Sequence, residues 1–145
     1  MNANPIPIVV INTQLFLRAT LNHRSLPAKL LFELGEYYVL AVSPGILDEV
    51  QDVLNRPKLR NKFTGLTDEA VARTLTVLAG AQQATPDMVP AVSRDSKDDI
   101  FLATAVTSGA QYLVTEDKDL LVLDPYQGIR ILDALAFLRI IQPSV

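Results

Sequence analysis

The chain has 145 residues, 49% apolar and 20% charged, the balance of an ordered globular domain. Its net charge of −3 supplies no overall basic field for nucleic acid, although a local basic patch is compatible with it. The absence of cysteine excludes disulfides, thiol catalysis and cysteine-ligated zinc, and the single histidine, His23, weighs against a histidine metal site or a Ser-His-Asp triad. Any metal site must therefore be built from oxygen, the donor set of Mg²⁺ or Mn²⁺. No apolar run reaches membrane-spanning length and the N-terminus lacks a signal-peptide pattern, so no membrane partner and a cytoplasmic location are expected.

"PIPIVVIN" (5–12) reads as a first strand buried on both faces. A helical stretch follows, then a second helix in "SLPAKLLFELGEYY", where Ser25 can cap the start. "YYVLAVS" is a second strand. Ser43 and Pro44 occupy the favoured cap and first-turn positions of the helix "PGILDEVQDVLNR", which breaks at Pro57. "TDEAVARTLTVLAG" is amphipathic, capped by Thr67 and closed by Gly80. "AQQATP" is a weak third strand. "SKDDIFLATAVTSG" is a helix ended by Gly109, "AQYLVT" a fourth strand, "GIRIL" a fifth, and "DALAFLRII" a last helix capped by Asp133. This alternation predicts one domain, from about Pro5 to Gln142, with a mainly parallel sheet of about five strands between helical layers. Sites in such sheets form beyond the carboxyl ends of the strands.

Three acidic clusters fall at those ends. Asn12 ends the first strand. Ser43 ends the second and opens the helix carrying Asp48, Glu49 and Asp52; Asp95, Asp98 and Asp99 surround the start of the helix feeding the fourth strand; Glu116, Asp117 and Asp119 follow that strand directly. At about 100° per residue, Asp48 and Asp52 face water and Glu49 lies on the border of the apolar stripe. Asp98 is in line with Leu102 and Ala105, so it points inward, where an unpartnered carboxylate is costly and a cation would offset the cost. Asp99 sits nearer the flank. Each residue also has a purely structural reading. Ser96-x-x-Asp99 has the form of a capping box, acids favour helix starts, and Asp117 and Asp119 suit a turn. The convergence of three clusters on one sheet edge weakens those readings as a set.

The chain resembles PIN-domain proteins, of the group that serve as toxin components of toxin–antitoxin pairs. "VVINTQLFLRA" is similar to that family's first motif, "SPGILDEVQDVLNRPKL" to the segment carrying its glutamate, and "DSKDDIFLATAVTSGAQYLVTEDKDLL" to its most recognisable stretch. The resemblance implies a PIN-like three-layer α/β/α sandwich spanning 1–145. It places the family's acids on Glu49, Asp98 and Asp117, the last in the Thr-x-Asp-x-Asp pattern. The family's first acid is aspartate; this chain has Asn12, with Thr13 matching and Gln14 where asparagine is usual. A neutral amide should weaken divalent binding and bears directly on turnover.

By this resemblance the chain is expected to be a Mg²⁺- or Mn²⁺-dependent endoribonuclease. Asp98 and Asp117 are the principal ligands, Glu49 a direct or water-mediated contact, Asn12 a neutral ligand or neighbour of the ligands, and Asp119 an accessory acid or a turn former. Thr13 and Thr115 would hold carboxylates or bound water. "RPKLRNK" (56–62) offers Arg56, Lys58, Arg60 and Lys62 to a phosphate backbone; such a run is equally often a solvated face. Arg18 and Arg24 follow the first motif and face the same question, and His23 reads as a surface residue. The implied partners are RNA, a cognate antitoxin and a second copy of the chain. The competing reading is a binding module of the same fold, silenced by Asn12. A receiver-type phospho-acceptor domain loses ground because no aspartate ends the central strand and no fitting lysine is found. A glycine-rich phosphate loop is missing as well.

Overall fold

The computed structural model describes residues 6–142; Pro5, where the first strand was expected to begin, lies outside them. Five strands form one sheet: β1 (Ile8–Ile11), β2 (Val39–Val42), β3 (Gln82–Gln83), β4 (Tyr112–Val114) and β5 (Arg130–Leu132). Their order is β3-β2-β1-β4-β5 and every pairing is parallel. Central β1 is buried on both faces, with Val9 and Val10 wholly enclosed, which is why "IVVI" lacks the alternation of a half-exposed strand. At the far edge, β3 is two exposed glutamines paired with Ala41 and Val42. That is the short, polar edge a sheet needs to avoid pairing with other chains.

The helices are α1 (Thr13–Leu21), α2 (Leu26–Phe32), α3 (Pro44–Leu54), α4 (Pro57–Lys62), α5 (Asp68–Ala79), α6 (Asp99–Ser108), α7 (Lys118–Leu121) and α8 (Ala134–Ile141). Predicted caps at Ser25, Ser43, Thr67 and Asp133 each accept a backbone N–H of the first turn. Gly109 ends α6 in the left-handed region at φ 71°, a conformation that other residues rarely adopt. Two short helices were not expected. Pro57 does stop α3, but it then starts α4, because proline suits a first helical turn. Asp117 caps the single turn of α7.

Strands β1, β2 and β3 step outward in one direction. The chain then returns past β1 and lays β4 on its other side. In this three-layer α/β/α sandwich α1, α2, α3 and α5 pack on one another, and α6 packs over β1, β2 and β4. Helix α8 closes against α2, and its buried Phe137 meets the Tyr38 ring edge-on with centroids 5.5 Å apart. The connections diverge between β1 and β4, so a crevice opens beyond the carboxyl ends of that pair, the switch point of an open α/β sheet.

Candidate metal centre

Asn12 stands at the end of β1 and Thr115 at the end of β4, side by side across the switch point. Asn12 Nδ2 donates to Thr115 Oγ1 at 2.9 Å, a buried bond. Asn12 is also the N-cap of α1, its Oδ1 accepting from the Gln14 N–H at 3.3 Å. Both ends of its amide are thus engaged. Thr115 Oγ1 accepts a second bond from the Asp117 N–H at 3.0 Å. Asp117 Oδ1 in turn accepts from the Asp119 N–H at 2.9 Å, capping α7. This chain of short-range bonds turns the backbone sharply after β4 and delivers Asp117 and Asp119 to the crevice.

Asp98 arrives from the other side. Residues Ser96–Asp98 form a 3₁₀ turn ahead of α6, started by Asp95, whose carboxylate accepts from the Lys97 N–H at 3.0 Å. The expected Ser96–Asp99 capping box does not form. Asp99, placed nearer the flank by the sequence reading, is buried, and its Oδ1 accepts from the N–H groups of Val92 at 3.2 Å and Ser93 at 2.7 Å. It ties down the preceding loop. Asp98 points inward as expected and is 7% exposed. Its Oδ2 is buried without any hydrogen-bond partner.

One carboxylate oxygen each from Asp98, Asp117 and Asp119 lies within 4.8 Å of the others. Burial, then the close carboxylate of Asp117 and the charges of Asp95 and Asp119, push the Asp98 carboxyl up to about 7. Three carboxylates that close, one of them with an orphaned buried oxygen, are an unfavourable group unless a cation or a proton joins them. The donor set fits a hard divalent ion such as Mg²⁺ or Mn²⁺.

The surrounding cleft has a volume of about 170 Å³ and is lined by Asn12, Thr13, Glu49, Asp95, Lys97, Asp98 and Asp117, among others. Glu49 reaches it from α3, half-buried, and accepts the hydroxyl proton of Thr13. It stands outside the tight group of three. A larger hollow of about 370 Å³ between α1, α2 and α5 includes His23, Glu69 and Arg73, but no carboxylate cluster. His23 itself is exposed, as expected.

Other acids have structural tasks. Asp48 and Asp52 are exposed as expected, and Glu116 caps α8 by accepting the Ala134 N–H at 2.9 Å. The basic run lies on α4 and is not part of the cleft lining. Arg60 is committed inward: its guanidinium donates to Leu54 O at 2.8 Å, Asn55 Oδ1 at 2.9 Å and Asp68 at 2.7 Å. Arg56 pairs with Asp52 at 2.7 Å on the surface, and the Lys62 ammonium rests 5.3 Å from the Phe63 ring centroid. Lys97 and Gln14 also line the cleft, a placement that helical periodicity did not indicate. Lys97 escaped notice because a 100° wheel assumes an α-helix from Ser96, whereas the 3₁₀ turn spaces side chains near 120°.

Residues 8–119 match the model of the PIN domain. The uncharacterized protein MJ1680 of Methanocaldococcus jannaschii is 35% identical over 119 residues, spanning 79% of this chain and 74% of that protein. Among solved structures, PAE2754 of Pyrobaculum aerophilum superposes with a TM-score of 0.60 at 19% identity, covering 96% of this chain and 91% of its own. VapBC2 of Rickettsia felis, solved bound to a DNA fragment from its promoter, gives 0.59 at 13% identity over 87% and 98%. VapC20 of Mycobacterium tuberculosis, described as a sarcin–ricin-loop-cleaving toxin, gives 0.51 at 20% identity over 84% and 98%. The acids gathered at the β1–β4 switch point all lie within the matched span, and with that match the chain belongs to the PIN-domain family.

Proposed function

We propose that this chain, acting as one PIN-like domain, is a divalent-metal-dependent endoribonuclease and the toxin of a toxin–antitoxin pair. The observation that carries the reading is the close grouping of Asp98, Asp117 and Asp119, with Asp98 Oδ2 buried and partnerless. Asp98 and Asp117 would be the principal ligands of Mg²⁺ or Mn²⁺, with Asp119 completing the group. A divalent ion there supplies charge stabilisation for a phosphate and a more acidic water for attack. Glu49, held by Thr13, would orient an attacking water from the opposite wall. Thr115 fixes Asp117, and Asn12 fixes Thr115. Arg56, just before α4, with Lys58 and Lys62 on it, form an outer track for the RNA backbone. The Arg56–Asp52 pair is exposed, and such pairs hold together weakly enough to yield to phosphate.

RNA as substrate is supported by the likeness to VapC20, a sarcin–ricin-loop-cleaving toxin, and an antitoxin partner by the likeness to VapBC2. A cytoplasmic homodimer is the corresponding working state. No described helix is long and apolar enough to cross a membrane.

A second reading has its own observation: the Asn12 amide is engaged as a cap and as a donor to Thr115, which leaves the centre one carboxylate short. In that case the fold binds RNA or its partner without cutting. The deciding assay incubates single-stranded RNA with the native chain, Asn12→Asp and Asp98→Ala, in Mn²⁺, Mg²⁺ or EDTA. Metal-dependent cleavage by the native chain, lost in Asp98→Ala, is the expected result. Cleavage by Asn12→Asp alone establishes the silenced form, and cleavage that persists in EDTA refutes a metal mechanism.

A further inference from the structure

The cleft is lined by four carboxylates, those of Glu49, Asp95, Asp98 and Asp117. Such a cleft repels a polyanion, and a bound ion offsets only part of that charge. One lining residue has the opposite sign. Lys97 precedes Asp98 in the 3₁₀ turn, and the wide angular step of that turn lets Asp98 bury while Lys97 stays exposed at the lip. Its position is fixed through its backbone, because the Asp95 carboxylate accepts the Lys97 N–H. Among the described residues its ammonium forms no ion pair, although acids flank it in sequence and share its cleft. Its three donors are therefore open to a ligand.

We propose that Lys97 binds a backbone phosphate of single-stranded RNA at the mouth of the acidic cleft, anchoring the strand beside the bond to be cut. The inference rests on the nuclease reading above. It differs from the outer track on α4 because Lys97 belongs to the cleft itself and its contact would be made to a nucleotide adjoining the reaction centre.

The test is binding, not cleavage. A fluorescent phosphorothioate oligoribonucleotide, which resists hydrolysis, is titrated with protein in Ca²⁺ at several KCl concentrations. Each phosphate contact to a single strand contributes about 0.7 to the slope of log affinity against log salt. Lys97→Ala is expected to weaken binding and flatten the slope by about 0.7. Lys97→Arg should keep the native slope, and so should Arg139→Ala, an exposed cation on α8. If the native chain binds but Lys97→Ala has its slope, the assignment to Lys97 is wrong while the nuclease reading stands. Failure of the native chain to bind RNA at all would overturn both. A change in the Mn²⁺ midpoint without a change in slope would make Lys97 a counter-ion of the acids and likewise overturn the proposal.

Discussion

Asp98 concentrates the chemistry of this chain in one side chain. Its carboxyl is raised to about 7, first by burial and then by Asp117 and its acidic neighbours. The unfolded chain releases the same proton near pH 3.9. Between those values the native state binds more protons than the unfolded state, so metal-free stability falls as pH rises from about 4 to 7 and is level above that. Asp98→Asn removes the charge and keeps the shape. In chelator it should therefore melt above the native protein at pH 8, with the gap narrowing toward pH 4; an equal gap at both values would show that Asp98 is not strained. Metal binding runs the other way, gaining as pH rises through 7, because the ligand must lose its proton. The inward direction of Asp98 was legible from its alignment with Leu102 and Ala105. The role of Asp99 was not. Capping-box spacing describes only the local chain, whereas the partners that Asp99 found, the N–H groups of Val92 and Ser93, belong to a loop with no periodicity to read.

Among the elements, strands and caps followed from the residues most directly, since buried parallel strands and Ser, Thr or Asp before a helix leave clear patterns. The short helices α4 and α7 did not, because four to six residues carry too few apolar positions to set a period. The α4 region also shows how a charge run misleads. Arg60 looked free in sequence, yet it caps the end of α3 through Leu54 O and braces Asn55. Arg60→Ala leaves that carbonyl without its partner and should cost about 1–3 kcal/mol of stability, measured by urea unfolding. RNA affinity should keep its native salt slope in that variant. A flattened slope with unchanged stability would instead restore Arg60 to the phosphate track.

For the whole molecule, a ligand that binds only the folded state raises stability by mass action. Mn²⁺ at a hundredfold excess over its dissociation constant should add about 2.7 kcal/mol, roughly 5–10 °C in melting temperature. Asp98→Ala should abolish the shift, and an undiminished shift in that variant would place the ion elsewhere. The cleft lining comes from four distant parts of the chain, at residues 12, 49, 98 and 117 among others. Sheet order could not be read from sequence, because alternation of strand and helix fits several orders; only the return of β4 beside β1 makes a crevice of their ends. The bond from Asn12 to Thr115 spans 103 positions. A chain emerging from the ribosome therefore cannot assemble this cleft until β4 has inserted, and before that β1 presents an unpaired edge. Synthesis and assembly are thus separated in time: Asn12 and Glu49 leave the ribosome long before Asp98 and Asp117 exist to meet them.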